Sequence, residues 1–249
     1  MRKSKRILSI FIAICIIAMG SLVIENSQIN GLFKKTSSEL FDTNTQSLEE
    51  ILNKTSTIKI QKKFFSLKKH YYISVDNVVI GEVTGKVFPI FGDKLILKDS
   101  NGNIVKSESQ IKRIGPTSGK LFNLSFDRLA QIKDSKGSIT GYIGEEKLKD
   151  FWKLSHRQYF YNENTEKLGS AKPDFFILSK DYTILDNNKD IDYIIDGNIF
   201  SLTSKATITK NDNSQIAEED VIFYTIIENS IIDSKTTKST SNTTTKTKR

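Results

Sequence analysis

Cysteine occurs once in the 249 residues, as Cys15, so no intrachain disulfide can form. Histidine occurs twice, as His70 and His156. That excludes a multi-histidine metal centre and most cysteine–histidine catalytic pairs. Proline occurs three times, which excludes a collagen-like or proline-rich extended chain. The hydrophobic share, 37%, is low for a globular chain but above the range of wholesale disorder. The lack of cysteine after position 15 suits an extracytoplasmic site and a cytoplasmic one equally.

What the chain does hold is charge, unevenly placed. Lys and Arg number 37 against 29 Asp and Glu, a formal charge of +8. Such a balance suggests a partner that is nucleic acid or an anionic membrane. Residues 1–6 carry four bases, and residues 234–249 carry five bases and no acid. Residues 7–233 hold 28 bases and 29 acids, a net of −1. Within that body, residues 54–113 have 12 bases and 5 acids, and residues 174–233 have 4 bases and 12 acids. A basic first third therefore stands against an acidic last third.

Residues 7–24, ILSIFIAICIIAMGSLVI, contain no charge over 18 positions. A transmembrane helix needs about 20 apolar residues. A cleaved signal peptide has a shorter apolar core and a small-residue site. Ala18-Met19-Gly20 could serve as such a site, but Leu22, Val23 and Ile24 prolong the run. Both readings stay open, and the length favours an uncleaved signal-anchor. Cys15 follows Ile14, where a lipoprotein site needs a small residue, so it reads as a thiol buried in a membrane helix. Four bases precede the run and none follows until Lys34. The positive-inside rule then puts residues 1–6 in the cytoplasm and the rest outside, in a single-pass protein of the cell membrane.

Residues 25–55 read as a connector. Ser47 and Glu50 form a capping box, and Leu48, Ile51 and Leu52 share one helical face. A short stalk helix packing on the domain is expected there. From about residue 56 the period changes to two. Tyr71, Ile73 and Val75 alternate with Tyr72 and Ser74; Phe122, Leu124 and Phe126 alternate with Asn123 and Ser125. Ala130 and Ile132, and Ala206 and Ile208, continue the pattern. Alternation marks half-buried strands. Turn chemistry separates them at Asp76-Asn77, Gly92-Asp93, Asp99–Gly102, Asp134–Gly137, Asn162–Asn164, Asp186–Asn188 and Asp196-Gly197. Short strands with such spacing predict an antiparallel sandwich or barrel.

Two segments depart from this period. Gly144 to Ser155 sets Leu148, Phe151, Trp152 and Ser155 at helical spacing and predicts an amphipathic helix covering the sheet. Trp152 reads as packing rather than as a ligand platform. Glu218 to Asp233 begins with three acids, where a helix dipole favours them. It continues with Val221, Ile222, Phe223, Tyr224, Ile226 and Ile227, apolar nearly all round. Such a helix needs burial on every side. It is too short to span a membrane, so the expected container is the sheet, curled around it.

Together these elements resemble the LURP-one-related and tubby carboxy-terminal-like superfamily. IKIQKKFFSL at 58–67 is similar to its opening strand, followed by YYISVDNVVIGEVTGK at 71–86 and FGDKLILKDSNGNIVKSESQIKR at 91–113. ATITK at 206–210, the apolar helix and Ile232-Asp233 resemble its closing section. The resemblance covers roughly residues 56–233. It implies a mainly β fold, a closed barrel of twelve strands around one carboxy-terminal hydrophobic helix, and no catalytic set. In that superfamily, tubby proteins bind phosphoinositide head groups through basic residues. The chain departs from the pattern in its membrane segment, in closing strands compressed into residues 199–210, and in Glu228, Asn229 and Ser230 within the helix.

Lys59, Lys62, Lys63, Lys68 and Lys69 crowd the opening strand and are the candidate anion-binding residues. Near an anchoring membrane, each base close to an anionic surface contributes about 1 kcal/mol. The alternative is that the basic and acidic thirds lie side by side and neutralise each other. Asp186, Asn188, Asp190 and Asp192 alternate as in calcium loops, but Ile191 and Gly197 occupy the places where an EF-hand needs Gly and Glu. A solvated acidic hairpin is the expectation, with no metal or cofactor. Ser66-x-x-Lys69 fits a serine acylation signature but lacks its companion elements and lies in a predicted strand. No aromatic-basic recognition motif appears, which argues against nucleic acid. Residues 234–249 have no apolar side chain and are expected to be disordered.

The functional expectation is a membrane-anchored, non-catalytic binding or scaffold module contacting anionic lipid head groups. The second reading is a protein-interaction subunit of a membrane complex with an unidentified membrane protein. The third is an enzyme, which would need a central pocket lined by convergent acids or by His156.

Overall fold

The computed structural model describes residues 46–63, 69–85, 94–111, 120–121, 124–146, 158–173, 181–198, 205–211 and 214–229. The uncharged run at 7–24, the residues at 147–157 that include Trp152 and His156, and residues 234–249 lie outside them. No helix among the described residues is long and apolar enough to cross a membrane.

Alternation of apolar and polar residues produces the strands. They are β1 (Thr57–Lys62), β2 (His70–Val75), β3 (Val78–Gly85), β4 (Lys94–Asp99), β5 (Ile104–Gln110), β6 (Lys120–Leu121) and β7 (Leu124–Asp134). There follow β8 (Ile139–Glu146), β9 (Gln158–Asn162), β10 (Lys167–Pro173), β11 (Tyr182–Asp186), β12 (Ile191–Asn198) and β13 (Lys205–Lys210). Twelve of these form one closed antiparallel barrel, in the order β5-β4-β3-β2-β1-β13-β12-β11-β10-β9-β8-β7, shut by pairing of β5 with β7. The two-residue β6 adds to β7 alone.

Register turns the alternation into layers. β2 buries Tyr71, Ile73 and Val75, as its period predicts, and β13 buries Ala206 and Ile208. Ile60 of β1 stands opposite both Ile73 and Ala206, and Ile58 opposite Ile208. Each inward side chain thus meets its neighbours across two ladders. β7 contributes Ala130 and Ile132 to the same interior.

Five tight turns lie at one end of the barrel, here called the turn end. Four of them repeat one design, beginning at Asp99, Asp134, Asn162 and Asp186. In each, the first residue's Oδ1 accepts a bond from the N–H four residues on, at 2.8 to 2.9 Å. The fourth residue is left-handed: Gly102 at φ 86°, Gly137 at 89°, Thr165 at 66° and Lys189 at 71°. Glycine adopts that region freely, whereas a β-branched side chain is strained there. Thr165→Gly is therefore expected to stabilise by up to about 1 kcal/mol, and Gly137→Ala to destabilise by a similar amount. Urea-unfolding midpoints read both.

Two expectations are corrected. Asp196-Gly197 is not a turn: both residues lie inside β12, where Gly197 faces inward opposite Ala206 and Asp196 outward. Residues 144–146 belong to β8, not to a helix, because Gly144 pairs with Leu129 on one side and Tyr159 on the other. The rest of that predicted helix lies outside the described residues.

Helix α1 (Leu48–Lys54) carries the predicted capping box, with Glu50 N–H donating to Ser47 Oγ and Ser47 N–H to Glu50 Oε2. Leu48, Ile51 and Leu52 join the barrel's own core cluster, as expected of a short helix packing on the domain. Helix α2, helical over 218–229, is the element the sequence marked as apolar all round. Val221, Ile222, Phe223, Tyr224 and Ile226 are all at most 1% exposed. The Tyr224 ring packs edge-on against Phe160 of β9 and Tyr182 of β11, with centroids 5.5 and 5.8 Å away. Just before the helix, Tyr193 of β12 donates its hydroxyl to the Ile216 carbonyl at 2.6 Å. Gly169 of β10 makes room for Ile216: a Cβ there would lie 2.8 Å from Ile216 Cδ1 and 2.4 Å from the Leu185 carbonyl oxygen. Strands from around the ring converge on α2, which fills the barrel interior.

Candidate functional site

The strand period divides the candidate lysines. Adjacent residues in a strand point to opposite faces. Lys59, in mid-β1, faces outward, and its Nζ donates to Asn77 Oδ1 at 2.9 Å in the β2–β3 turn. Lys62 ends β1 on the inward parity of Ile58 and Ile60, opposite buried Tyr71. Lys63 returns to the outside, with Nζ 5.8 Å from the Tyr72 ring centroid. Lys69 precedes β2, and its carbonyl accepts from Gly85 N–H at 2.7 Å. Lys68 and Ser66 lie outside the described residues. Lys62, Lys63 and Lys69 thus gather where β1 stops and β2 begins, on both sides of the wall. Lys59 reaches toward the opposite end.

His70, to which sequence reading gave no role, belongs to this patch. Its Nε2 lies 2.8 Å from Glu82 Oε2, and Lys98 Nζ stands 3.9 Å from Glu82 Oε1. The imidazole is held below its ordinary pKa by burial, with Lys63 and Lys98 adding to it against the pull of Glu82. The neutral ring then donates to the carboxylate. No spacing rule joins His70 to Glu82; only the β2–β3 register sets Tyr72 opposite Glu82 and brings them together.

The described charges at the two ends of the barrel differ in kind. The five tight turns, at 76–77, 99–103, 134–138, 162–166 and 186–190, hold seven acids against Lys136 and Lys189. At the other end, the loop end, Lys62, Lys63, Lys69, Lys94 and Lys205 stand at the tips of β1, β2, β4 and β13, with Glu146 at the end of β8, Asp181 before β11 and Glu228 of α2 at the same end.

Charges of both signs also meet inside the barrel. The three acids opening α2 lie within the barrel near the turn end. Lys210 of β13 pairs with Glu218. Lys106 of β5 stands 3.1 Å from Glu219 Oε2 and 3.5 Å from Asp220 Oδ1. That last separation is an ion pair longer than a hydrogen bond, and Asp220 Oδ1 accepts none. Burial pushes the Asp220 carboxyl up to about 6, with Lys106 opposing and Glu219 adding to the rise. Burial also works against the Lys106 ammonium, but Asp220 and Glu219 outweigh it and hold its pKa up. The neutralisation foreseen from the charge thirds takes this buried form.

Asp220 carries a pH signature. Unfolded, its pKa is near 3.9. A raised folded value means its contribution is full below about pH 4 and is lost as pH rises through about 6, on the order of 3 kcal/mol. Asp220→Asn is expected to flatten that part of the stability curve, read as urea midpoints between pH 4 and 7.

The acidic run at 186–192 forms the hairpin between β11 and β12. Asp186 Oδ1 is engaged by Asp190 N–H, and Asp192 Oδ2 accepts from Ser214 Oγ at 3.1 Å. Among the described residues no cluster of His, Cys, Asp or Glu could hold a metal ion. In comparisons with known proteins, no family model, no curated protein and no solved structure matches the chain.

Proposed function

We propose that the chain is a membrane-anchored, non-catalytic binding module whose loop end contacts anionic lipid head groups. The carrying observation is the gathering of Lys62, Lys63 and Lys69 at the end opposite the acidic turns. The helix-filled interior leaves the rims and the outer wall as the surfaces for recognition. The twelve strands around an apolar helix support placing the fold with the tubby carboxy-terminal-like barrels, whose resemblance implies that number. The uncharged run at 7–24, after four bases, supplies the anchor and sets the barrel outside the cytoplasm. An alkaline phosphatase reporter fused after residue 233 is then expected to be active.

Vesicle co-sedimentation of residues 46–249 tests the lipid reading. Binding should require anionic lipid and be lost at high salt, where exposed charges are screened. Equal binding to zwitterionic vesicles would defeat it. A protein-interaction subunit is the second reading, favoured by Ile104, Ile139 and Ile191, which stand 38 to 48% exposed at the turn end.

A further inference from the structure

Helix α1 packs at the turn end of the barrel, against the buried charges that open α2. Gly81 of β3 lies opposite Asp99 of β4 at that end and leaves the space that Leu48 enters. A Cβ on Gly81 would stand 3.5 Å from both Leu48 methyl carbons. Ile51 and Leu52 carry the same apolar face into the core. At the far end of α1, Lys210 Nζ donates to the Asn53 carbonyl at 3.4 Å and also pairs with Glu218. One ammonium thus ties the negative pole of α1 to the first acid of α2. Glu49 acts on the same charges from the helix above, helping to hold the Lys106 ammonium.

The charges beneath α1 do not balance. β5 brings Lys106 and, two residues on, the buried Glu108; α2 brings Glu218, Glu219 and Asp220; β13 brings Lys210. Asp134 of β7 stands opposite Lys106 but accepts from the N–H groups of its own turn. Asp192 of β12 accepts from Ser214, and burial keeps the Tyr193 hydroxyl neutral. β8 brings no charge there: a Cβ on Gly141 would lie 3.4 Å from Asp220 Oδ2. Four buried acids therefore face two cations. Glu49 adds a further negative charge, while Glu50 and Lys54 of α1 are exposed and of opposite sign.

We propose that α1 is a proton-sensitive lid, docked on the turn end while one of the acids beneath it holds a proton and released when that proton leaves. The group is Asp220, whose Oδ1 accepts no hydrogen bond beneath the docked helix. Burial there pushes its carboxyl up to about 6. With the lid open, water reaches the carboxyl and its pKa returns toward about 3.9. Closing therefore takes up a proton. The lid is tightest below about pH 4 and loosens as pH rises through about 6, so opening becomes up to about tenfold easier at pH 7 than at pH 5. Released, the seven residues of α1 add up to about 25 Å of slack to the chain before the barrel. The lid and the lipid-contact reading concern opposite ends of the barrel, and neither rests on the other.

The test is hydrogen exchange of the full chain in nanodiscs of phosphatidylcholine, from pH 5 to pH 7, with each rate corrected for the intrinsic pH dependence of exchange. Amides at 51–55 report the lid, and those at 58–60 and 206–208 report opening of the barrel. The lid amides should be less protected than the barrel amides, and their protection should fall by up to about tenfold from pH 5 to pH 7. Asp220→Asn should remove that fall. Leu48→Ala, which empties the seat at Gly81, should lower lid protection at both pH values and keep the fall. Circular dichroism at both pH values checks that each variant retains the barrel. Lid protection that does not change with pH would overturn the proposal. So would lid and barrel amides with equal protection throughout, since α1 would then open only when the whole barrel unfolds. An undiminished fall in Asp220→Asn would overturn the assignment to that carboxyl, and unchanged lid protection in Leu48→Ala would overturn the docking that makes α1 a lid.

Discussion

Replacing Lys106 with Met should cost about 3–5 kcal/mol of stability, the range seen when a buried ion pair loses one partner. The cost does not come from the lost attraction alone. Glu219 and Asp220 would remain inside the barrel, at 3% and 6% exposure, with their nearest cation gone. A buried carboxylate left unpaired bears its full desolvation penalty. Denaturant unfolding should show a lower midpoint with the same slope. Adding Glu219→Gln and Asp220→Asn to Lys106→Met should restore much of the loss, since neutral groups need no counter-charge. A Lys106→Met midpoint within about 0.5 kcal/mol of the parent would mean that water or protons, not the ammonium, satisfy these acids. The coupling of Lys106 to Asp220 also predicts that the loss shrinks below pH 6, where the Asp220 carboxyl takes up a proton.

Tyr224→Ala should be of comparable size, about 3–5 kcal/mol, for a different reason. The ring is 1% exposed, and two aromatic partners from different strands close on it. Deleting it leaves a void bounded by Phe160, Tyr182 and the helix backbone, and closed walls relax poorly. Ile194→Ala is the matched comparison. Ile194 is also a large apolar residue in the same body, but it faces outward on β12 at 48% exposure. Its loss should fall within about 0.5 kcal/mol. Thermal denaturation of the two variants reads the inside from the outside of the barrel directly. Similar shifts for both would contradict the placement of α2 within the ring.

Much of this architecture was legible because it rests on local periods. Tyr71, Ile73 and Val75 announce β2, and Ser47 with Glu50 announces α1, with neither needing knowledge of a distant residue. Helix α2 was legible for a related reason: a segment apolar on every side has to be enclosed, and the strands around it were the only container at hand. The ionic cluster was not legible. Lys106 and Glu219 are 113 positions apart, and only the closure of the ring and the depth of α2 bring them within 3.1 Å. Likewise Lys62 and Lys63, neighbours in a basic run, read as one patch although the strand sends them to opposite faces. The error at Gly144 has a local cause. A helical spacing beginning at Leu148 was extended backward over residues whose conformation is set by ladders to β7 and β9.

The ring closure also constrains how this protein can meet another. Each of its twelve strands already has a hydrogen-bonded neighbour on both sides. An extended peptide therefore finds no edge of the ring to lengthen, and strand addition, a common mode of peptide capture, is closed along the ring. The same saturation protects the molecule from edge-to-edge aggregation while it stays shut. Recognition must then be written in side chains and connecting segments, where single substitutions can retune it without disturbing a ladder.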